Sequence, residues 1–311
     1  MWVPPEREAM STDRSGSADP LSLGGVVPPT VTAFDADEAV DHARTAAHAR
    51  FVVDRGASGV FPLGTNGEFA MLDAEERHGV VESVVEEVGG EVPVIAGVGA
   101  PSTHRTVRNA ERAAAAGADG LVVVTPYYYP PDPEGIVEHY RRVAEAVPLP
   151  IYVYQFPQRT GTTLSLDTFA SLAGIEGIAG CKDSSGDVAW LARAADAHPE
   201  LTFLAGSDVL QLVGREVGCA GGVSAVANAF PGLLADLHTA HDAGERDRAR
   251  GLQRTLRGVR AAFEAGPDMA GAKAALSLRG FDAGGLRSPL RTMDREERDA
   301  LEAELRELGV L

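Results

Sequence analysis

From Gly25 onward, short apolar runs rich in β-branched residues alternate with stretches rich in Ala, Glu and Arg, and they do so eight times. No other feature constrains the fold as strongly. The runs expected as strands are 26–34, 59–63, 92–98, 120–125, 151–155, 178–182, 202–205 and 222–224. Helical patterns fall between them at about 38–55, 73–88, 102–116, 133–147, 165–172, 187–197, 209–217 and 231–242. Eight strands, each followed by a helix, predict a closed (β/α)8 TIM barrel, not an open Rossmann sheet. The turns "RGASG" before Val60 and "AGADG" before Leu121 fit helix-to-strand connections in which glycine ends the helix. Further amphipathic stretches at roughly 245–265, 269–279 and 294–308 predict a C-terminal helical extension. The expected division is a disordered lead-in over 1–24, a barrel over 25–243 and a helical domain over 244–311.

Composition removes several functions. With 45 acidic against 28 basic residues the net charge is −17, and such a surface repels nucleic acid and anionic membranes. Only two of the 28 basic residues are lysines, Lys182 and Lys273, a balance expected of a halophilic protein whose self-repulsion is screened by salt. No apolar run reaches the ~18 residues of a membrane span, and residues 1–24 lack the apolar core of a signal peptide. A cytoplasmic location is therefore expected, with either Met1 or Met10 as the start. Cys181 and Cys219 lie in apolar runs and read as small buried residues. The eight histidines are scattered, and the closest pair, His238 and His241, is expected on a helix surface, so no metal set is expected. "GVGAPS" at Gly97 lacks the third glycine of a dinucleotide fingerprint. "GCAGG" at Gly218 is at most a weak phosphate-cradle signal.

Barrel enzymes assemble their sites at the C-terminal ends of the strands. There, Lys182 ends the sixth apolar run, in "GIAGCKDSSGD". Burial disfavours the charged ammonium and leaves a nucleophilic amine, able to form a Schiff base with a ketone. The structural alternative is an ion pair with Asp183 or Asp187. In "YVYQFPQRTG", Tyr154 points into the barrel mouth if Val153 points out, and its phenol can relay protons. A core tyrosine bonded to backbone is the competing reading. Arg159 follows in the loop and has the planar fork to hold a carboxylate. In "PLGTNGEF", Gly64 and Gly67 permit a tight turn whose N–H groups, with the Thr65 and Asn66 side chains, suit a small carboxylate.

These motifs, together with "TPYYYPP", "AGSD", "GGVSAVAN", "AKAAL" and "LRSPL", occur in the order and spacing of the dihydrodipicolinate synthase / N-acetylneuraminate lyase family, which the chain resembles from about Gly25 to Leu311. The resemblance implies a barrel with a C-terminal helical domain, usually a homotetramer, that binds pyruvate or another 2-oxo acid as a covalent imine without further cofactor. It implies that Lys182 forms the imine, that Tyr154 shuttles protons, and that Thr65 links tyrosines in a relay. Tyr128 matches the relay tyrosine contributed by a neighbouring subunit. Thr65, Asn66 and Gly67 match the carboxylate turn; Ser207 and Val223, in "AGSD" and "GGVSAVAN", are further candidate substrate contacts. Lys273 matches a structural lysine.

Substrate choice divides the family. Arg159 in "PQRTG" is similar to synthases that receive the carboxylate of aspartate semialdehyde, whereas "GTNGE" and "KDSSGD" are more similar to 2-keto-3-deoxy sugar acid and 4-hydroxy-2-oxoglutarate aldolases. Both readings stand, beside sibling dehydratases and deaminases. Pro101 and Arg105 occupy the places of the lysine-feedback Asn and Glu, so inhibition by lysine is not expected. A non-catalytic barrel that binds a 2-oxo acid is the alternative from another class.

Overall fold

The computed structural model describes residue 21 and residues 23–311. Seven parallel strands form one sheet in the spatial order β1-β7-β6-β5-β4-β3-β2. They are β1 (Gly25–Val26), β2 (Ile95–Gly97), β3 (Gly120–Val124), β4 (Ile151–Gln155), β5 (Ile178–Asp183), β6 (Thr202–Ala205) and β7 (Gly221–Gly222). The segment expected as the second strand closes the gap between the sheet edges. Val60 bridges Val94 on one side, and Phe61 exchanges backbone hydrogen bonds with Pro28 and Thr30 on the other. It makes only that bridge because Pro62 has no N–H: its carbonyl accepts the Gly97 N–H at 2.9 Å, but the return bond is missing. The first strand is likewise shorter than expected: Pro28 and Pro29 have no N–H to donate to a ladder.

The helices are α1 (His42–Val53), α2 (Ala74–Val88), α3 (Thr103–Ala115), α4 (Pro133–Ala146), α5 (Pro157–Thr160), α6 (Leu166–Ala173), α7 (Val188–Ala197), α8 (Gln211–Glu216), α9 (Pro231–Asp242), α10 (Arg246–Ala262), α11 (Ala270–Leu278) and α12 (Arg295–Glu307). Short polar caps start many of them: Asp41, Asp73, Ser102, Asp132, Ser165 and Asp187 each accept an otherwise orphaned N–H of the first turn. The one-turn helix α5 was not expected; it lifts Arg159 above the end of β4.

Strand alternation sorts the side chains into two layers. Leu121, Val123, Ile151, Val153 and Cys181 face outward into the shell packed by the helices. Val122, Val124, Tyr152, Tyr154 and Leu204 face inward and fill the barrel with Phe61 and Ile95. Leu23, 2% exposed, joins this interior cluster, and the Leu21 carbonyl accepts the Tyr152 hydroxyl at 3.0 Å. The packed chain thus begins before the expected boundary at residue 25. The rest of the expected lead-in, with the choice between Met1 and Met10, lies outside the described residues.

A separate apolar cluster joins α9, α10, α11 and α12 to the barrel through Val26, Val31 and Phe230. Polar ties add register: Gln253 on α10 accepts the Leu212 N–H at 2.7 Å and donates to the Asp208 carbonyl at 3.0 Å. His238, expected at the surface, is 6% exposed, because α10 packs along α9. The glycines of "GCAGG" serve strand packing: a Cβ on Gly221 would lie 2.3 Å from the Gly25 carbonyl oxygen. Among the described residues, no helix is long and apolar enough to cross a membrane.

Candidate active site

A cavity of about 560 Å³ opens at the C-terminal ends of the strands, and Lys182 lies at its base. The parallel register sets Lys182 on β5 beside Tyr154 on β4, so both side chains project to the same side, into the mouth. The lysine is 5% exposed, and its Nζ sits 3.3 Å from the centroid of the Tyr154 ring and 5.7 Å from that of Phe61. Its hydrogen-bond partner is the Ser184 hydroxyl, at a long 3.4 Å. Burial holds its pKa well below the ordinary lysine value, against the opposing pull of Asp183 and Asp208.

Neither carboxylate expected as a structural partner takes the ammonium. Asp183 accepts Gln155 Nε2 at 3.0 Å, the Ser185 N–H at 3.1 Å and the Ser185 hydroxyl at 3.0 Å. Asp187 caps α7 by accepting the Trp190 N–H at 2.9 Å. With both acids engaged elsewhere, loss of hydration dominates and favours the neutral Lys182 amine, although the Tyr154 and Phe61 ring faces would attract a cation.

The Tyr154 hydroxyl and Thr65 Oγ1 lie 3.2 Å apart. Burial pushes this phenol up to about 12, with the hydrogen bonds to Thr65 and Ser184 opposing the shift. Thr65 begins a single 3₁₀ turn, Thr65–Gly67. Within it the Gly67 N–H is taken by the Gly64 carbonyl and the Glu68 N–H by Thr65, which leaves the N–H groups of Thr65 and Asn66 as the turn's orphan donors. Gly67 therefore departs from expectation. It does not line the cavity, its carbonyl accepts the Thr32 hydroxyl at 2.7 Å, and a Cβ there would lie 3.0 Å from the Thr30 oxygen.

Asn66, Arg159, Ser207 and Val223 all line the cavity with Lys182, Tyr154 and Thr65. Tyr128 does not: its side chain is 80% exposed on the loop after β3, at a positive φ of 75°, with Tyr129 packed edge-on against it. Several lining residues escaped sequence reasoning. Ser184 and Asp208 directly follow Asp183 and Ser207, so their motifs carried a signal. Asp208 is buried; its carboxylate accepts the Ser224 hydroxyl, and burial raises its pKa. Arg260, Glu264 and Asp268, which roof the cavity from the end of α10 and the loop before α11, carried none. Asp268 pairs with Arg159 across 109 residues of chain. Gly206 keeps the floor open, since a Cβ would fall 2.1 Å from the Ser184 oxygen.

Fold and cavity place the chain among α/β-barrel enzymes with a site at the C-terminal strand ends. The model of the dihydrodipicolinate synthetase family matches residues 22–308. An uncharacterised DapA-like lyase of Halobacterium salinarum is 65% identical over 296 residues, covering 95% of this chain and 97% of that protein. A 4-hydroxy-tetrahydrodipicolinate synthase of Natronomonas pharaonis is 38% identical over 286 residues, covering 91% and 97%. Among solved structures, YagE of Escherichia coli K12, a prophage protein of the dihydrodipicolinic acid synthase family in complex with pyruvate, superposes with a TM-score of 0.89 at 31% identity. That match covers 93% of this chain and all of YagE. The chain belongs to the dihydrodipicolinate synthetase family, a family of lyases.

Proposed function

We propose that this protein is a Schiff-base lyase that joins pyruvate to an aldehyde, or cleaves a 2-oxo acid to pyruvate and an aldehyde. One observation carries the reading: a desolvated amine without a carboxylate partner lies against the face of a tyrosine whose hydroxyl meets a threonine. In this mechanism the neutral Lys182 amine adds to the C2 carbonyl of the 2-oxo acid, and loss of water gives the iminium. Its positive nitrogen draws electrons from C3, so that a proton leaves C3 and an enamine forms. The enamine carbon attacks the aldehyde carbonyl, the new alkoxide takes a proton, and water hydrolyses the imine to free Lys182. Cleavage follows the same steps backward.

Tyr154 carries protons to and from the carbinolamine and the alkoxide, since its phenol is held at the amine and linked to Thr65. A second copy of the chain, in a homotetramer, supplies Tyr128 to extend this relay; its exposure and its positive φ support a role away from its own subunit's core. The orphan N–H groups of Thr65 and Asn66 receive the pyruvate carboxylate, and Ser207, Val223 and Arg159 face the second substrate. The chemistry needs no cofactor beyond the imine, and the enzyme works in the cytoplasm. Pyruvate bound in the related YagE supports the choice of 2-oxo acid.

Sodium borohydride with pyruvate tests the reading: reduction fixes pyruvate to the enzyme, and peptide mass mapping places the adduct on Lys182. An adduct elsewhere, or none, refutes it. Full turnover by Lys182→Arg would remove Lys182 from the chemistry, whereas pyruvate binding with neither trapping nor turnover would favour a barrel that only binds 2-oxo acids. Aspartate semialdehyde consumption with pyruvate, set against pyruvate release from 2-keto-3-deoxygluconate, separates synthase from aldolase.

A further inference from the structure

Both guanidinium groups in the cavity are already matched by carboxylates of the same cavity. Arg159 bonds Asp268 through Nη2, and Arg260 Nη2 lies 3.3 Å from Glu264 Oε1. The third carboxylate, Asp208, is held below by the Ser224 hydroxyl. Away from Lys182 and the buried Asp208, the charged lining consists of Glu264 and Asp268 against Arg159 and Arg260, so these charges cancel. Among the described residues, no unmatched cation faces the end of the cavity away from Lys182. The Arg159 and Asp268 side chains are each 47% exposed, so an incoming substrate can reach the pair.

A substrate tail ending in a carboxylate meets Asp268 as a like charge and has to displace it from Arg159. A tail ending in hydroxyl groups meets no such barrier. Its O–H groups donate to the oxygens of Asp268 and Glu264, and its oxygens accept from the guanidinium N–H groups, as charge-assisted hydrogen bonds. Asp268 is anchored for this task, since its Oδ1 accepts the Met269 N–H at 3.2 Å, at a residue whose φ is +70°.

We propose that Asp268 is a specificity residue: by occupying Arg159 it turns the outer end of the cavity toward uncharged, hydroxyl-bearing substrate tails and against carboxylate-ended ones. The proposal rests on the imine chemistry given above, and it reverses the expectation that Arg159 waits for a substrate carboxylate. Sequence alone could not show this, because Asp268 lies in a loop far along the chain from Arg159.

Two six-carbon 2-oxo acids of equal backbone length serve as probes, 2-keto-3-deoxygluconate with distal hydroxyls and 2-oxoadipate with a distal carboxylate. The readout is the concentration of each that gives half-maximal borohydride trapping on Lys182. Wild-type protein is expected to need at least tenfold less of the hydroxylated acid. Asp268→Asn is expected to move the ratio of the two at least tenfold toward the dicarboxylate, and adding Arg159→Gln to remove that gain. A wild-type ratio within twofold of unity, or one favouring 2-oxoadipate, overturns the proposal without recourse to any variant. An unchanged ratio in a folded Asp268→Asn protein overturns it equally. Pyruvate trapping on the wild type separates the two readings: trapping without selectivity refutes only the role of Asp268, whereas failure to trap pyruvate refutes the imine chemistry beneath it.

Discussion

Removing Lys273 tests how the C-terminal helices hold the active-site turn. Its Nζ lies 2.9 Å from Glu68 Oε1, with the two side chains 4% and 1% exposed, and it also donates to the Gly285 carbonyl at 2.6 Å. The other carboxylate oxygen of Glu68 accepts the Arg287 N–H at 3.0 Å. Glu68 immediately follows the Thr65–Gly67 turn and sits at a φ of +53°. Lys273→Met keeps the stem and removes the charge, leaving a buried carboxylate with a single backbone donor. Breaking one side of a buried pair costs about 3–5 kcal/mol, which in a chain of this size lowers the melting temperature by roughly 5–10 °C. Replacing both partners, as Lys273→Met with Glu68→Gln, removes the stranded charge and is expected to restore at least half of that loss. Thermal denaturation of the two single variants and the double variant measures the coupling. Half-saturation of pyruvate trapping is expected to rise in Lys273→Met, because the Thr65 and Asn66 donors lose their anchor. The anchoring role of Lys273 is refuted if Lys273→Met melts within about 2 °C of wild type, or if the double variant is no more stable than the single one.

Three further outcomes follow from the same geometry. Tyr154→Phe keeps the aromatic face over Lys182 but deletes the proton carrier, so turnover is expected to fall by roughly 10²–10³-fold; steady-state rates within tenfold of wild type would remove Tyr154 from the mechanism. Burial lowers His48, His139 and His238 to about 4 each. Because the unfolded chain takes up these protons near pH 6.5 and the folded protein does not, stability declines as pH falls from about 6.5 toward 4, by up to about 3 kcal/mol per histidine. Melting temperatures constant from pH 7 to 4.5 would contradict that placement. Finally, a net charge of −17 with surface acids in excess predicts a melting temperature that rises as KCl increases from 0.1 M toward ~2 M; a fall over that range would show that self-repulsion is not the limiting term.

Much of the site is legible in the amino-acid sequence. Lys182, Tyr154, Thr65, Asn66, Arg159, Ser207 and Val223 all reach one cavity, because each ends a strand or begins the loop after it, and parallel strands deliver such ends to one face. Gly67 and Tyr128 are the exceptions: a turn motif does not reveal which of its N–H groups the turn itself consumes, and Tyr128 is exposed on the loop after β3. The first two strands are shorter than their patterning suggests because apolar, β-branched runs mark burial, whereas a ladder also needs donors, which Pro28 and Pro29 in the first run and Pro62 in the second lack.

The amino-acid order alone determined the repeating strand–helix architecture and the position of an amine at a strand end, since both follow from local periodicity of 2 and 3.6 residues. Tertiary structure alone decided what surrounds that amine. It engaged Asp183 and Asp187 elsewhere, brought the ring of Tyr154 to 3.3 Å from Nζ, and folded Asp268 back onto Arg159. Apart from the local cap made by Asp187, those pairings join residues far apart in the chain, and charge balance in a cavity depends on which groups meet in space, a quantity that no local pattern encodes.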